Sequence, residues 1–243
     1  DLRPNASFNE NGVCIACDYS DNHPAKALNN ELKILKKMIR DTRSKRKRHE
    51  LYDCIVGVSG GKDSTRQAHW VRDRLGLNPL LVCCAYPPLQ MTDIGAVNMS
   101  NLISMGFDIE VFTPAPQSSA QLSLSSFRQF GNVCKSTEMA LFSAVPRIAI
   151  SKKIPLIFWG ENPALQVGDA KTEGVNYFDG NNLRNLNTLI EGGIDWIFDE
   201  VEDYKAEAYA YPEKSSFNKE KIDIMYLGPA WDDWSSDENS IYA

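Results

Sequence analysis

The tightest constraint on the fold of this chain is the segment Ser59-Gly60-Gly61-Lys62-Asp63-Ser64, which follows directly on the apolar run Cys54-Ile55-Val56-Gly57-Val58. A short apolar run that ends in a glycine turn reads as a buried strand. Beyond the turn, Ala68, Val71 and Leu75 recur at helical spacing, so a helix over 64–75 is expected. The first N–H groups of such a helix have no intrahelical acceptor and lie at the positive end of its dipole. Strand, turn and helix together make a phosphate cradle. It is not the nucleotide loop Gly-x4-Gly-Lys-Ser/Thr, because only Ser59 separates the run from the glycine pair and Asp63 follows Lys62. The alternative is a plain glycine turn in which Asp63 or Ser64 caps the helix.

Within the cradle the charges divide the work. Lys62 supplies a point charge to a departing pyrophosphate. Asp63 is the candidate carboxylate for Mg²⁺, which keeps waters and bridges phosphate oxygens.

Downstream, apolar runs at 80–85, 109–112 and 156–159 alternate with amphipathic stretches at 93–105, 120–130 and 138–153. This alternation predicts an α/β fold, a doubly wound parallel sheet with helices on both faces. Ligands of such sheets lie outside the carboxyl ends of the strands, which gathers 59–64, 86–90, 113–116 and 160–162 on one rim. There Gly160 allows close backbone approach, Glu161 can orient a nucleophile or bind a cation, and Asn162 can hydrogen-bond a sugar or an amide. A strand-end turn with a solvated carboxylate is the plainer reading of the same residues. Asp169 is a further candidate substrate contact, in a glycine-rich stretch expected to form a long loop.

At 43% hydrophobic and 24% charged residues the chain can bury a sizeable core, and its net charge of −6 argues against a general nucleic-acid binder. No apolar run approaches the length of a membrane span and no signal segment opens the chain, so a cytoplasmic location is expected. Cys54, Cys83 and Cys84 lie in apolar runs and read as small buried hydrophobes. Cys134, His49 and His69 read as structural. The basic residues clustered over 40–48 suit either the solvated end of a helix or a docking surface.

The expected organisation is a loop-rich appendage at 1–24, a linking helix at 25–50 marked by Leu28, Leu32, Leu35 and Ile39, and the α/β domain at 51–243. Cys14 and Cys17 have the spacing of half a zinc site, with His23 the obvious third candidate. Two free thiols, or a sulfur-carrying pair, are the alternatives.

Ser-Gly-Gly-Lys-Asp-Ser in the first strand-to-helix turn resembles the PP-loop of ATP pyrophosphatases, which cleave ATP between its α and β phosphates. More closely, the chain resembles the N-acetyl sugar amidotransferases of bacterial surface-polysaccharide and flagellin-glycan biosynthesis. That resemblance is carried by Arg3-Pro4, Gly12-Val13-Cys14-x2-Cys17, Tyr52-Asp53-Cys54-Ile55-Val56, the Ser59–Ser64 turn, Leu77-Asn78-Pro79-Leu80-Leu81-Val82, Gly106-Phe107-Asp108, Ile154-Pro155-Leu156, Trp159-Gly160-Glu161-Asn162 and Tyr226-Leu227-Gly228. It implies a second Cys-x2-Cys upstream, completing a zinc-ribbon-like site with Cys14 and Cys17, and a further C-terminal part, with lipopolysaccharide or O-antigen synthesis as its setting. It also implies conversion of an acetamido group, on a nucleotide-linked sugar, to an acetamidino group. ATP, Mg²⁺ and structural Zn²⁺ are the implied cofactors. In the implied roles, Lys62, Asp63 and Glu161 act in catalysis; Ser59, Gly60, Gly61, Lys62, Asp63, Ser64 and Gly160 hold the nucleotide; and Glu161, Asn162 and Asp169 hold the sugar. The implied partners are a glutaminase subunit and a cyclase-like ammonia-channelling subunit. A PP-loop tRNA-thiolating enzyme and a non-catalytic ATP-binding scaffold are the competing readings.

Overall fold

The computed structural model describes residues 7–22, 25–44 (side chains from 28), 51–86, 91–160, 193–231 and 233–242. Five strands form one sheet: β1 (Cys54–Gly57), β2 (Pro79–Cys84), β3 (Asp108–Phe112), β4 (Leu156–Trp159) and β5 (Asp223–Tyr226). Their order is β3-β2-β1-β4-β5, and every pairing is parallel. β5 has no counterpart among the strands expected from sequence.

Strand residues alternate between two apolar layers, as the period of 2 requires. Cys54, Val56, Leu81, Leu156, Phe158 and Met225 belong to one cluster, while Ile55, Leu80, Val82, Ile157, Ile224 and Tyr226 belong to the other. The first layer is covered by α2 (Ala25–Ser44), α3 (Lys62–His69) and α4 (Asp93–Ser104), through Leu35, Ile39, Ala68 and Leu102. The second is covered by α6 (Lys135–Lys152) through Val145 and Ala149, and by α9 (Lys214–Glu220) through Phe217. Helices on both faces make the sheet doubly wound. A satellite cluster joins α5 (Pro116–Phe130) and α6 to the short helices α7 (Asp195–Phe198) and α8 (Asp203–Ala206), around Leu122, Met139, Trp196 and Tyr209.

The helix expected over 64–75 begins earlier and is not uniform. After His69 it widens into a π-helical turn, Trp70–Arg74, closed by Leu75 N–H to Trp70 O at 3.2 Å. The short first helix α1 (Ile15–Asn22) follows a hairpin-like turn in which Phe8 pairs with Cys14. The expected helix around Leu183, Leu186 and Leu189 lies outside the described residues. Among the described residues no helix is long and apolar enough to cross a membrane.

Leu35 of α2 is fully buried against the sheet cluster. Leu35→Ala is expected to cost about 2–5 kcal/mol of stability, read from urea unfolding followed by tryptophan fluorescence. A loss under about 1 kcal/mol would mean that α2 is not fixed on the sheet in solution.

Candidate functional site

β1 lies at the centre of the sheet, with β2 on one side and β4 on the other. From β1 the chain runs outward through β2 to β3 and then crosses back to β4 on the other side of β1, so the strand order reverses between β1 and β4, and it is at the carboxyl ends of such a switch point that open α/β sheets bind ligands. A cavity of about 740 Å³ occupies this place. It is lined by Gly57 at the end of β1 with Val58 and Ser59 beyond it, Val82 and Cys84 of β2, Trp159 at the end of β4 with Gly160 beyond it, and Gly228, Trp231 and Trp234 after β5. Asp63, Ser64 and Gln67 of α3 close the floor.

The Ser59–Ser64 turn is held by its own side chains. Ser64 Oγ accepts the Ser59 N–H at 3.2 Å and donates to Gly61 O at 3.1 Å, while Ser59 Oγ accepts the Gly61 N–H at 3.4 Å. Gly60 has φ +82°, and a Cβ there would lie 3.1 Å from Asn98 Cβ of α4, so both conformation and space call for glycine. α3 has Gly61 as N-cap with no side-chain cap. The capping role for Asp63 or Ser64 is therefore absent: Asp63 lies inside the first turn, and Ser64 shapes the loop.

Lys62 Nζ donates to Asp63 Oδ1 at 2.9 Å, and Asn239 Nδ2 donates to the same oxygen at 2.8 Å. Burial pushes the Asp63 carboxyl up, but the hydrogen bonds from Lys62 and Asn239 and the lysine charge outweigh it and hold the carboxyl below its usual value. The ionised carboxylate has one oxygen occupied. Its other oxygen accepts from no group among the described residues, which fits a divalent cation bound mainly by phosphate and water.

Two close approaches fix the second rim. A Cβ at Gly160 would fall 2.8 Å from Gln67 Oε1, and Gln67 Nε2 donates to Phe158 O at 3.0 Å. Buried Gln67 thus ties the end of β4 to α3. Glu161, Asn162 and Asp169 lie outside the described residues.

Sequence reasoning missed the far wall. Trp231 and Trp234 belong to the segment after β5, and Arg66 of α3 holds that segment through Asp233 at 2.6 Å and the Tyr242 ring at 4.5 Å. No local pattern marks these residues, because their role depends on β5 bringing them beside α3. Cys84 is not the buried hydrophobe expected. It is half-buried in the cavity wall, and burial, with Cys83 adding to it, pushes its thiol up to about 12. Cys83 is buried as expected. His69 packs on Phe107 and Tyr242. Cys134 is exposed, just ahead of α6.

In the N-terminal segment the Cys17 N–H donates to Cys14 Sγ at 3.4 Å. Among the described residues no group of three or more His, Cys, Asp or Glu could hold a metal, and His23 lies outside them. Of the basic stretch, Arg43 faces Asp53 at 3.7 Å, while 45–50 lies outside the described residues.

No family model matches the chain, and no curated protein matches it. Among solved structures, the NMN synthetase from Francisella tularensis is similar with a TM-score of 0.39 and 16% identity, over 56% of this chain and 56% of that one. The chain therefore spans little more than half the length of that protein. The NH3-dependent NAD synthetase from Campylobacter jejuni subsp. jejuni, in complex with nitrate, has a TM-score of 0.40 and 14% identity, over 88% of this chain and 96% of that one. Likeness at this level carries no functional weight.

The Asp63 network has a pH signature. Its carboxyl holds a proton more weakly in the native state than in the unfolded chain, so stability rises with pH through the acid range. The contribution is present above the unfolded value of about 4 and is lost as pH falls through the lower native value. Asp63 is more than half exposed, so the effect is small. Asp63→Asn should flatten this part of the acid-unfolding curve, and superimposable curves for the two proteins would refute the network.

Proposed function

We propose that the chain is an ATP-dependent, AMP-forming amidotransferase that converts a sugar acetamido group to an acetamidino group. The observation that carries this reading is the Ser59–Ser64 cradle at the sheet's switch point, with Lys62 and Asp63 at one cavity. The resemblance in sequence supports the choice of acceptor. ATP is a co-substrate, cleaved between its α and β phosphates.

An amide carbon is a poor electrophile, and its oxygen is a poor leaving group. Attack of the amide oxygen on the α-phosphorus forms an O–P bond, while the bond to pyrophosphate breaks. Ammonia then adds to the resulting imidate carbon, the C–O bond breaks, and AMP departs with the former amide oxygen while the nitrogen loses a proton. The turn N–H groups and Lys62 stabilise the charge that develops on pyrophosphate. Asp63 is the residue that would hold Mg²⁺, which would supply further neutralisation of that charge. Trp159, Trp231 and Trp234 give the cavity an apolar wall that excludes water from the imidate. Glu161, Asn162 and Asp169 are proposed to hold the sugar.

A thiolating enzyme would need a reactive thiolate, whereas Cys84, the one cysteine among the described residues lining this cavity, stays protonated at neutral pH. Cys14 and Cys17 are proposed as half of a structural zinc site whose other ligands lie beyond the described residues.

The tests are direct. ATP turnover with an acetamido sugar and ammonium should yield AMP and pyrophosphate, and ¹⁸O placed in the acetamido group should emerge in AMP. ADP as the main product, or unlabelled AMP, would overturn the chemistry. Lys62→Ala should lower turnover about 10²-fold or more with little change in the unfolding midpoint, because the side chain lies in an exposed pair.

Ammonia at neutral pH is mostly ammonium, which has no free lone pair, so a glutaminase with a cyclase-like channelling subunit is the proposed source. The isolated chain should use high ammonium at raised pH and not glutamine. Glutamine use by the isolated chain would remove the need for a partner.

A further inference from the structure

Asn239 stands in the short helix α10 (Ser236–Ser240), far from the phosphate loop in sequence, and is fully buried. Its Nδ2–H group donates to Asp63 Oδ1 at 2.8 Å, while its own Oδ1 is buried with no partner among the described residues. A buried, half-satisfied amide lowers stability. The segment is docked without it, since Arg66 binds Asp233 and Tyr242, and Ser235 caps α10 by accepting the Glu238 N–H. The bond to Asp63 is therefore more than a means of attaching the segment.

Oδ1 of Asp63 takes both Lys62 and Asn239, and Oδ2 takes no donor among the described residues. Lys62 has three N–H donors on a flexible, one-third exposed side chain and can turn toward a phosphate. Asn239 is then the donor that stays. We propose that Asn239 is a positioning residue for Asp63: its amide fixes the rotation of the carboxylate, so that Oδ2 is presented to the divalent cation that accompanies the triphosphate. This rests on the ATP reading above.

The test is calorimetric titration of the full chain with α,β-methylene-ATP, once with Mg²⁺ and once with EDTA. The wild type should bind more tightly with Mg²⁺. Asn239→Leu keeps the volume and removes the donor. It should bind as the wild type does in EDTA but lose about 10-fold of the gain that Mg²⁺ brings, as expected for a lost hydrogen bond to a charged group. Asn239→Ala serves as a second variant, and near-ultraviolet circular dichroism checks that Trp70 and Trp231 remain packed together. An undiminished Mg²⁺ gain in a folded variant overturns the proposal. So does an equal loss in EDTA, or the unfolding of both variants, because Asn239 would then act through the fold. Failure of the wild type to bind the analogue under either condition overturns the ATP reading, and this proposal with it.

Discussion

β1 is hydrogen-bonded on both edges to parallel strands, to β2 over Cys54–Gly57 and to β4 at Ile55 and Val56. Burial of both its faces leaves it no polar side chain until Ser59, the second residue beyond the strand. That residue opens the Ser59–Ser64 turn. Because the strand order reverses between β1 and β4, the carboxyl end of β1 lies at the switch point of the sheet, where a crevice is expected from topology. Close packing then sets the shape of the rim. Gly57 can have no Cβ, since one would fall 2.8 Å from the Trp159 ring, and Gly160 is pressed on Gln67 in the same way.

The segment after β5 completes the site by a different route. It buries Leu227, Ala230 and Trp231 in the layer that also holds Leu35 and Trp70, and Trp231 lies 5.9 Å from Trp70 between ring centroids. Those apolar contacts fix where the segment runs. Polar contacts then follow at little cost, because Arg66, Asp63 and the cavity lie along its path. One piece of chain is thereby core, cavity wall and partner of the Asp63 carboxylate.

How much of this was legible in the sequence depends on whether the signal is local. β1, β2 and β4 are short, nearly continuous apolar runs, and the Ser-Gly-Gly-Lys-Asp-Ser turn carries its own chemistry, so strand, turn and helix could be read in place. Pro116 starts α5 four residues before the expected helix, because proline at the first position needs no N–H acceptor, while apolar spacing only becomes visible later. Asn239 lies in the polar stretch Ser236–Ser240, which has no apolar face to detect. Cys84 looked interior because its neighbours are apolar. Its exposure to the cavity is set by its place at the last position of β2, which periodicity does not reveal.

The Lys62–Asp63 pair shows how such a loop can be stable and still ready. Neighbouring opposite charges satisfy each other in the ligand-free chain, with Lys62 one-third exposed and Asp63 more than half exposed. Pairs that face water are worth only about 0–1 kcal/mol, so breaking this one costs little. A phosphate in the cradle offers Lys62 a partner of higher charge, further desolvated by the tryptophan wall, where the interaction is stronger. The carboxylate thus released is itself what a divalent cation seeks. On the proposed reading, exchange of one ion pair for two would couple entry of the polyphosphate to capture of its metal.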